Sequence, residues 1–504
     1  MEDIIVAIRA FLAGQGPRRG SRWDPPPTPL GMNMRNLSNK QERPLLNRDL
    51  SRRGFLGASA FGALAGASVL ANPARAAADA AGVKPADLPD LTIKEVKLYV
   101  TNLGDIRRIN SSEGGEIVSI VTASGVEGNY TLGNRSAGTG WLEYAKGVCL
   151  GKNVLDLLPT LTTRTVRRGG MGGGRGGDPR IGPNVAPRGG GAGLGGRSPA
   201  GFVGGFGYPN GMNMGNATET DLHNSIIDVC LWDILGKAVN RPIFKLLGGG
   251  AKDRVLAYAS SLHLASIEDF APEAVKAKTE GFKGYKIHPG GGQHPEGGPI
   301  PAYVGHIEEI QAVRKAVGDE FTLLFDPVQR YNVFEALKVG RALEEYGFVS
   351  FEDPIPTSDI EGLVELRKKL DVPIEIGEFI YTIQGYAEYI RRGALDIVRL
   401  IGDNVGGITG SMRVAQLADA FGMPCTPHNW GNGFDLAMQF QIELAMPNCF
   451  WFEMPYPQTL TDRAYLKDQF RIDKEGYVVA STEPGLGCRL DRDALDKMLI
   501  RIDR

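Results

Sequence analysis

Three acids stand at what read as the ends of three consecutive strands. They are Asp326 in Leu323-Leu324-Phe325-Asp326-Pro327, Glu352 in Ser350-Phe351-Glu352-Asp353-Pro354, and Glu378 in Ile374-Glu375-Ile376-Gly377-Glu378. Their intervals are equal (352 − 326 and 378 − 352, 26 residues each), and each contains one helix-period segment, Asn332 to Tyr346 and then Asp359 to Leu370. One interval is therefore one strand-helix unit. In a parallel barrel built of such units, side chains at successive strand ends converge on one rim. Carboxylates gathered there repel one another unless a cation neutralises them, and hard oxygen ligands suit Mg2+. A single acid at a strand end more often caps the following helix; three at equal spacing, each after an apolar run, favour a shared site.

The spacing continues past the acids: Asp403 is 25 residues beyond Glu378, His428 is 25 beyond Asp403, and Glu453 is 25 beyond His428. Upstream, the stretch Tyr285-Lys286-Ile287-His288 reads as another strand end, with Lys286 and His288 on the same side of it. Two histidines and a lysine around a divalent cation point to acid-base chemistry.

The elements that must position these residues form an α/β pattern. Eight strands are expected at Val255 to Ser260, Gly284 to His288, Thr322 to Asp326, Phe348 to Glu352, Ile374 to Glu378, Asp396 to Asp403, Met423 to His428 and Cys449 to Glu453. Seven helical stretches separate them, which implies a closed parallel sheet over residues 251–453. Ahead of it, residues 91–250 begin with alternating strands at Thr92 to Val100, Gly115 to Val121 and Gly125 to Tyr130. Helical segments follow near Trp141 to Val148 and from Asp221 to Leu247. In the latter, Ile227, Cys230, Leu231, Ile234 and Ala238 line one face. This reads as a small α+β domain ahead of the barrel.

Composition excludes some functions. With 23% charged residues and a formal net charge of −2, the chain carries no global field for nucleic acid. The cysteines, Cys149, Cys230, Cys425, Cys449 and Cys488, show no metal spacing and read as buried small apolar residues. Residues 164–216 are dense in glycine and arginine, the composition of a solvated insertion. Arg52-Arg53 precedes Phe55-Leu56, an apolar small-residue run and Ala74-Arg75-Ala76. Residues 32–76 thus read as a twin-arginine signal peptide and residues 1–31 as an over-extended start, with a periplasmic or secreted product. Nothing suggests a membrane association once that signal is removed.

The chain resembles the enolase superfamily, and within it the mandelate racemase and sugar-acid dehydratase group. The resembling residues are Ile227 to Gly249, Lys286-Ile287-His288, Asp326, Phe351-Glu352-Asp353-Pro354, Gly377-Glu378, Gly406-Gly407-Ile408-Thr409-Gly410, Pro427-His428 and Trp451-Phe452-Glu453. The resemblance implies a (β/α)7β TIM-like barrel under an α+β capping domain, to which residues 454–504 return. It also implies Mg2+ on Asp326, Glu352 and Glu378, a carboxylate substrate, and an even-numbered homo-oligomer. His288 stands where the family commonly has the second lysine of Lys-x-Lys, and would take the α-proton with Lys286 lending positive charge. Glu453 would hydrogen-bond the substrate carboxylate. The family pairs the seventh-strand histidine, here His428, with an aspartate of the sixth strand; that position is Ile401, and Asp403 lies two residues on with the same parity.

The expected activity is Mg2+-dependent dehydration of an acid sugar to a 2-keto-3-deoxy acid. Racemisation or epimerisation of a 2-hydroxy acid and cycloisomerisation are the alternatives in the same class. A secreted binding protein on a retired enzyme scaffold is the alternative of another class. If the glycine-rich insertion is a flap over the barrel mouth, deleting Gly169 to Gly205 changes KM for substrate, whereas a passive surface segment leaves the kinetics unchanged.

Overall fold

Alternating apolar residues from Ile93 onward build the first sheet. The computed structural model describes residues 82–84, 87–101, 116–131, 138–161, 219–249, 252–290, 301–431 and 433–504. The expected signal peptide, the start before it and the glycine-rich insertion lie outside these residues. Strands β1 (Ile93–Thr101), β2 (Glu116–Thr122) and β3 (Glu127–Thr131) form an antiparallel meander. Its fourth strand, β13 (Leu499–Asp503), comes from the far end of the chain and pairs with β1, giving the order β13-β1-β2-β3. Helix α1 (Gly138–Cys149) packs on β1, and α2 (Val154–Leu161) packs on α3 (Glu219–Ala238), which in turn packs on β3.

Helix α3 departs from a one-faced amphipathic helix. Ile227, Cys230, Leu231 and Ile234 are fully buried, but Asp228, Trp232 and Asp233 are buried as well. The cause is its position between the antiparallel sheet and the barrel, which leaves almost no side facing water. Each buried carboxylate is satisfied across an element boundary. Asp233 accepts the backbone N–H of Asn129 at 3.0 Å and of Leu486 at 2.9 Å.

The eight parallel strands follow. They are β4 (Arg254–Ser260), β5 (Gly284–Ile287), β6 (Thr322–Phe325), β7 (Ser350–Glu352), β8 (Ile374–Ile376), β9 (Ile397–Leu400), β10 (Cys425–Pro427) and β11 (Trp451–Pro455). Their spatial order is β10-β9-β8-β7-β6-β5-β4-β11, and β12 (Tyr477–Val479) adds antiparallel to β4. The two ends of this path approach where Cys425 N–H donates to Asn448 C=O at 2.9 Å. The connections run through α4 (Phe270–Thr279), α5 (Ala302–Val317), α6 (Val333–Glu345), α7 (Ile360–Lys369), α8 (Ile383–Arg392), α9 (Gly407–Ala420) and α10 (Gly433–Ala445). This is a (β/α)7β TIM-like barrel.

Local sequence sets the helix limits. Asn332 closes a capping box with Glu335 at the start of α6, and Gly393 at φ +69° ends α8 in the left-handed conformation. The sixth barrel strand is shorter than its apolar run suggests. It stops at Leu400, and Gly402–Val405 forms a helical turn that carries Asp403 off the strand. Gly406 and Gly407, both at positive φ, then redirect the chain into α9.

Helix α9 takes its N-terminal cap from the other domain. Gly406 at its own N-cap position has no side chain, and Asp228 of α3 accepts the Thr409 N–H at 3.0 Å and hydroxyl at 2.6 Å. Trp232 Nε1 donates to the same hydroxyl at 2.9 Å. A Cβ on Gly407 would stand 2.7 Å from the Asp228 carboxylate, so the glycine makes the approach possible. Among the described residues, no helix is long and apolar enough to cross a membrane.

Burial pushes Asp228 from 3.8 up to about 7, although the Thr409 bonds pull the other way. A carboxyl raised on folding stabilises the native state fully below its unfolded value and loses that contribution as pH rises through the folded one. Stability attributable to Asp228 therefore falls between about pH 4 and pH 7, and Asp228→Asn flattens that slope. Asp228→Ala removes the cap and lowers stability by about 1–2 kcal/mol, read from the urea midpoint.

Candidate active site

Five strand ends, those of β5 to β8 and β10, bring the chemical groups to the rim. Asp326 follows β6, Glu352 ends β7 with Asp353 next in the chain, and Glu378 lies two residues past β8. Lys286 points into the barrel from β5 with none of its surface exposed, and His288 follows it at the rim. The backbone beyond the acids is strained: Val328, Gln329 and Asp353 have φ of 52°, 58° and 35°. The two loops hold each other in place. Gln329 N–H donates to Asp353 C=O at 2.7 Å, and Asp353 N–H donates to Glu375 C=O at 2.9 Å.

Glu352, Asp353 and Glu378 offer carboxylate oxygens that all lie within 4.8 Å of one another. Asp326 adjoins them with both oxygens engaged, Oδ1 by Val328 N–H at 2.8 Å and Oδ2 by His288 Nε2 at 3.1 Å. Burial resists ionising Asp326, but the His288 hydrogen bond and Lys286 outweigh it and hold the group below the usual carboxylate range. The others go the opposite way. Burial and then Glu378 raise Asp353, burial and Asp326 raise Glu352 against the pull of Arg399, and burial and Asp326 push Glu378 up to about 8. Buried carboxylates that resist ionisation in one another's company are a donor set that a divalent cation would satisfy. The two oxygens of Asp353 have no hydrogen-bond partner, which fits the same group.

Beneath this rim lies a charged inner wall. Lys286 Nζ is 2.8 Å from Glu352 Oε2 and 2.5 Å from Glu453 Oε1. Burial and the neighbouring Arg399 disfavour its charge, yet Glu352 and Glu453 prevail and keep Lys286 an ammonium. Arg399, fully buried on β9, sets Nε 2.5 Å from Glu352 Oε1 and Nη1 3.3 Å from Glu375, and its Nη2 donates to Glu453 Oε2. Ser350 and Thr426 hydroxyls donate to Glu375.

His288 is oriented by the first barrel strand's loop. Its Nδ1 lies 2.7 Å from the Ser261 carbonyl and its backbone N–H donates to Ser261 Oγ at 3.0 Å. A carbonyl and an ionised carboxylate both only accept, so the ring donates at each contact; the Nδ1 bond to Ser261 fixes the ring, and Nε2 can act as a base only when its proton is no longer held against Asp326. His263 and Trp430 flank the ring edge-on, with centroids 5.5 and 5.4 Å away. His428 follows β10, three strands from β5 by the shorter way round the closed barrel and so across the rim from His288. Its side chain is 21% exposed, yet burial pushes its pKa down to about 3 and it is neutral near pH 7.

Two expectations for site residues are corrected. Asp403 accepts a hydrogen bond from Tyr130 at 2.9 Å, whereas the carboxylate beside His428 is Glu378, Oε2 to Nε2 at 3.4 Å. The helical turn after β9 aims Asp403 at the capping domain, a turn that strand parity could not foresee. Glu453 is fully buried, and both its oxygens are engaged by the protein's own donors. Oε1 accepts from Ser260 at 2.8 Å and Trp430 at 3.1 Å besides Lys286, and Oε2 accepts from Asn429 N–H at 3.0 Å besides Arg399. Burial opposes its charge, but Arg399 and Lys286 hold it well below the usual range, so it has no proton to donate.

Arg399, Asp353, Trp430 and His263 were not singled out from the sequence. Arg399 had a legible signal, a lone charge inside the apolar run Ile397-Val398-Arg399-Leu400. Asp353 stood next to a recognised acid, and only its left-handed backbone turns it toward the cluster.

The model of an "Enolase C-terminal domain-like" region matches residues 269–494. An arabinonate dehydratase of Saccharolobus solfataricus is 34% identical over 266 residues, covering 52% of this chain and 68% of that protein. The chain belongs to the enolase superfamily. A D-galactarolactone cycloisomerase of Agrobacterium fabrum is 30% identical over 53% of this chain and 71% of its own. Among solved structures, a D-glucarate dehydratase from Agrobacterium tumefaciens complexed with magnesium superposes with a TM-score of 0.63 at 25% identity, over 82% of this superfamily member and all of that chain.

If Glu453 serves as counter-ion to Lys286 and Arg399, Glu453→Gln leaves two buried cations undercompensated and costs about 3–5 kcal/mol of stability by chemical denaturation. A substrate-binding role would instead raise KM at unchanged stability.

Proposed function

We propose that this enolase-superfamily enzyme dehydrates an acid sugar, removing the proton α to its carboxylate and then the β-hydroxyl, to give a 2-keto-3-deoxy acid. The observation that carries this reading is the placing of His288 and His428 on opposite walls of one rim, with a buried carboxylate cluster between them. Asp326, Glu352 and Glu378 would hold Mg2+, which supplies fixed positive charge beside the substrate carboxylate and so lowers the cost of removing the α-proton.

The chain's own groups do the rest. With Asp326 engaged by the cation instead of by the ring, His288 Nε2 would be free to take the α-proton, the ring staying fixed by the Ser261 carbonyl. The Lys286 ammonium adds positive charge below the reacting carbons and stays protonated. On the other face the β C–O bond breaks beside His428, whose neutral ring would donate a hydrogen bond to the departing hydroxide; with the proton taken by His288 this hydroxide makes up the water lost. Its neighbour is Glu378 rather than a carboxylate of the sixth strand, and Ile401 stands at the N-cap of the turn where the family has that aspartate. A base poised for proton transfer on both faces, as racemisation needs, is less well supported. Arg52-Arg53 and the apolar run after it support export of the enzyme, and its family supports assembly into a homo-oligomer.

Incubation of aldonic and aldaric acids with the Mg2+-loaded enzyme in deuterated water tests the reading. Loss of water from one acid, followed by mass spectrometry, is expected; deuterium uptake without water loss overturns dehydration in favour of epimerisation. His288→Asn abolishes deuterium exchange at the α-carbon, a fall of at least about 10²-fold. His428→Asn keeps exchange and loses dehydration.

A further inference from the structure

The loop that runs from Asp326 to α6 carries Arg330, an exposed residue whose guanidinium is fixed along one side. Nη1 donates to Pro289 C=O at 3.1 Å and to Gly290 C=O, the two residues that follow His288. His263 Nδ1 lies 3.1 Å from the same Pro289 oxygen, and its ring meets His288 edge-on with centroids 5.5 Å apart. The guanidinium therefore stands at the rim, on the wall that carries His288 and in the loop that begins at Asp326.

Its other side is uncommitted. Among the described residues, Nε and Nη2 have no acceptor in the protein, and no carboxylate forms an ion pair with Arg330. Glu309 of α5 feels its charge, but burial holds that carboxyl well above the usual range, so it stays neutral and does not compensate the guanidinium. Lys286 and Arg399 differ, being taken up by Glu352, Glu375 and Glu453. Nε and Nη2 form the edge of a guanidinium that matches both oxygens of one carboxylate. This chain uses that edge elsewhere, from Arg391 to Glu388 and from Arg489 to Asp468. At Arg330 the two carbonyl bonds preset the plane, which lowers the ordering cost of binding an anion there.

We propose that Arg330 binds a second carboxylate of the substrate, at the end remote from the cation, so that the enzyme prefers aldaric acids to aldonic acids. The assignment rests on the acid-sugar dehydratase reading and names its substrate class. In that reading the first carboxylate lies by Asp326 and Lys286 and the α-carbon by His288. The remaining carbons extend from the same wall, where the guanidinium is the uncompensated charge. A terminal hydroxymethyl group would leave that charge without a match, whereas a carboxylate would engage both free nitrogens.

Water loss from matched pairs, glucaric against gluconic acid and galactaric against galactonic acid, tests this with the Mg2+-loaded full chain. In the pair that reacts, kcat/KM is expected to favour the aldaric acid at least about tenfold, the scale of hydrogen bonds to a charged group. Arg330→Gln is expected to remove most of that preference, chiefly through KM for the aldaric acid. The ratio compares two acids in one variant, so a loosened His288 loop does not imitate the effect. A preference below threefold in the unaltered enzyme, or one that Arg330→Gln leaves within twofold, overturns the assignment. If the variant does not fold, the preference of the unaltered enzyme decides. If no acid loses water, the dehydratase reading falls, and calorimetric binding of the same pairs decides for Arg330. Tighter aldaric binding by tenfold supports it, and affinities within threefold overturn it.

Discussion

Charge balance in a water-poor barrel is the constraint on which the rest of this structure depends. Lys286 and Arg399 are fixed cations with no exposed surface, and Glu352, Glu375 and Glu453 surround them at equally buried positions. In a low-dielectric interior each ion costs several kcal/mol to desolvate, so the wall is tolerable only because every charge faces an opposite one. Asp326 adds negative charge at the rim above it, and Asp353 and Glu378 resist ionising there without further positive charge. The inner wall is therefore balanced against itself, and the rim is left in want of a cation.

That division of labour separates scaffolding from chemistry. Glu453 is saturated by Lys286, Arg399, Ser260, Trp430 and Asn429, and fixes the loop that carries His428. Asn429 is braced from behind by Glu443 at 2.9 Å. The reactive imidazoles have fewer partners, the His288 ring the Ser261 carbonyl and Asp326, and His428 the neighbouring Glu378. Rigid supports beneath mobile protons are what orientation-dependent catalysis requires.

The capping domain is tied to this scaffold at points that also shape the barrel. Asp228 caps α9, Asp233 joins β3 to the C-terminal segment, and Tyr130 donates to Asp403 and Asp435. Polar groups at such a boundary fix one relative placement of the two parts, because any other leaves a buried carboxylate without donors.

By itself the sequence determined the order of elements and the rim residues. Equal spacing of Asp326, Glu352 and Glu378 placed one acid on each strand-helix unit, and all eight barrel strands lie where apolar runs indicated. Periodicity reads local geometry, which is why Lys286, His288 and His428 were legible too. It does not report what a side chain meets across the barrel. Only the tertiary structure gave Arg399 its three carboxylates, turned Glu453 into a counter-ion, aimed Asp403 at Tyr130 and brought Asp353 into the cluster. Those assignments depend on distances between strands far apart in the chain and on one left-handed residue, neither of which leaves a periodic trace in the sequence.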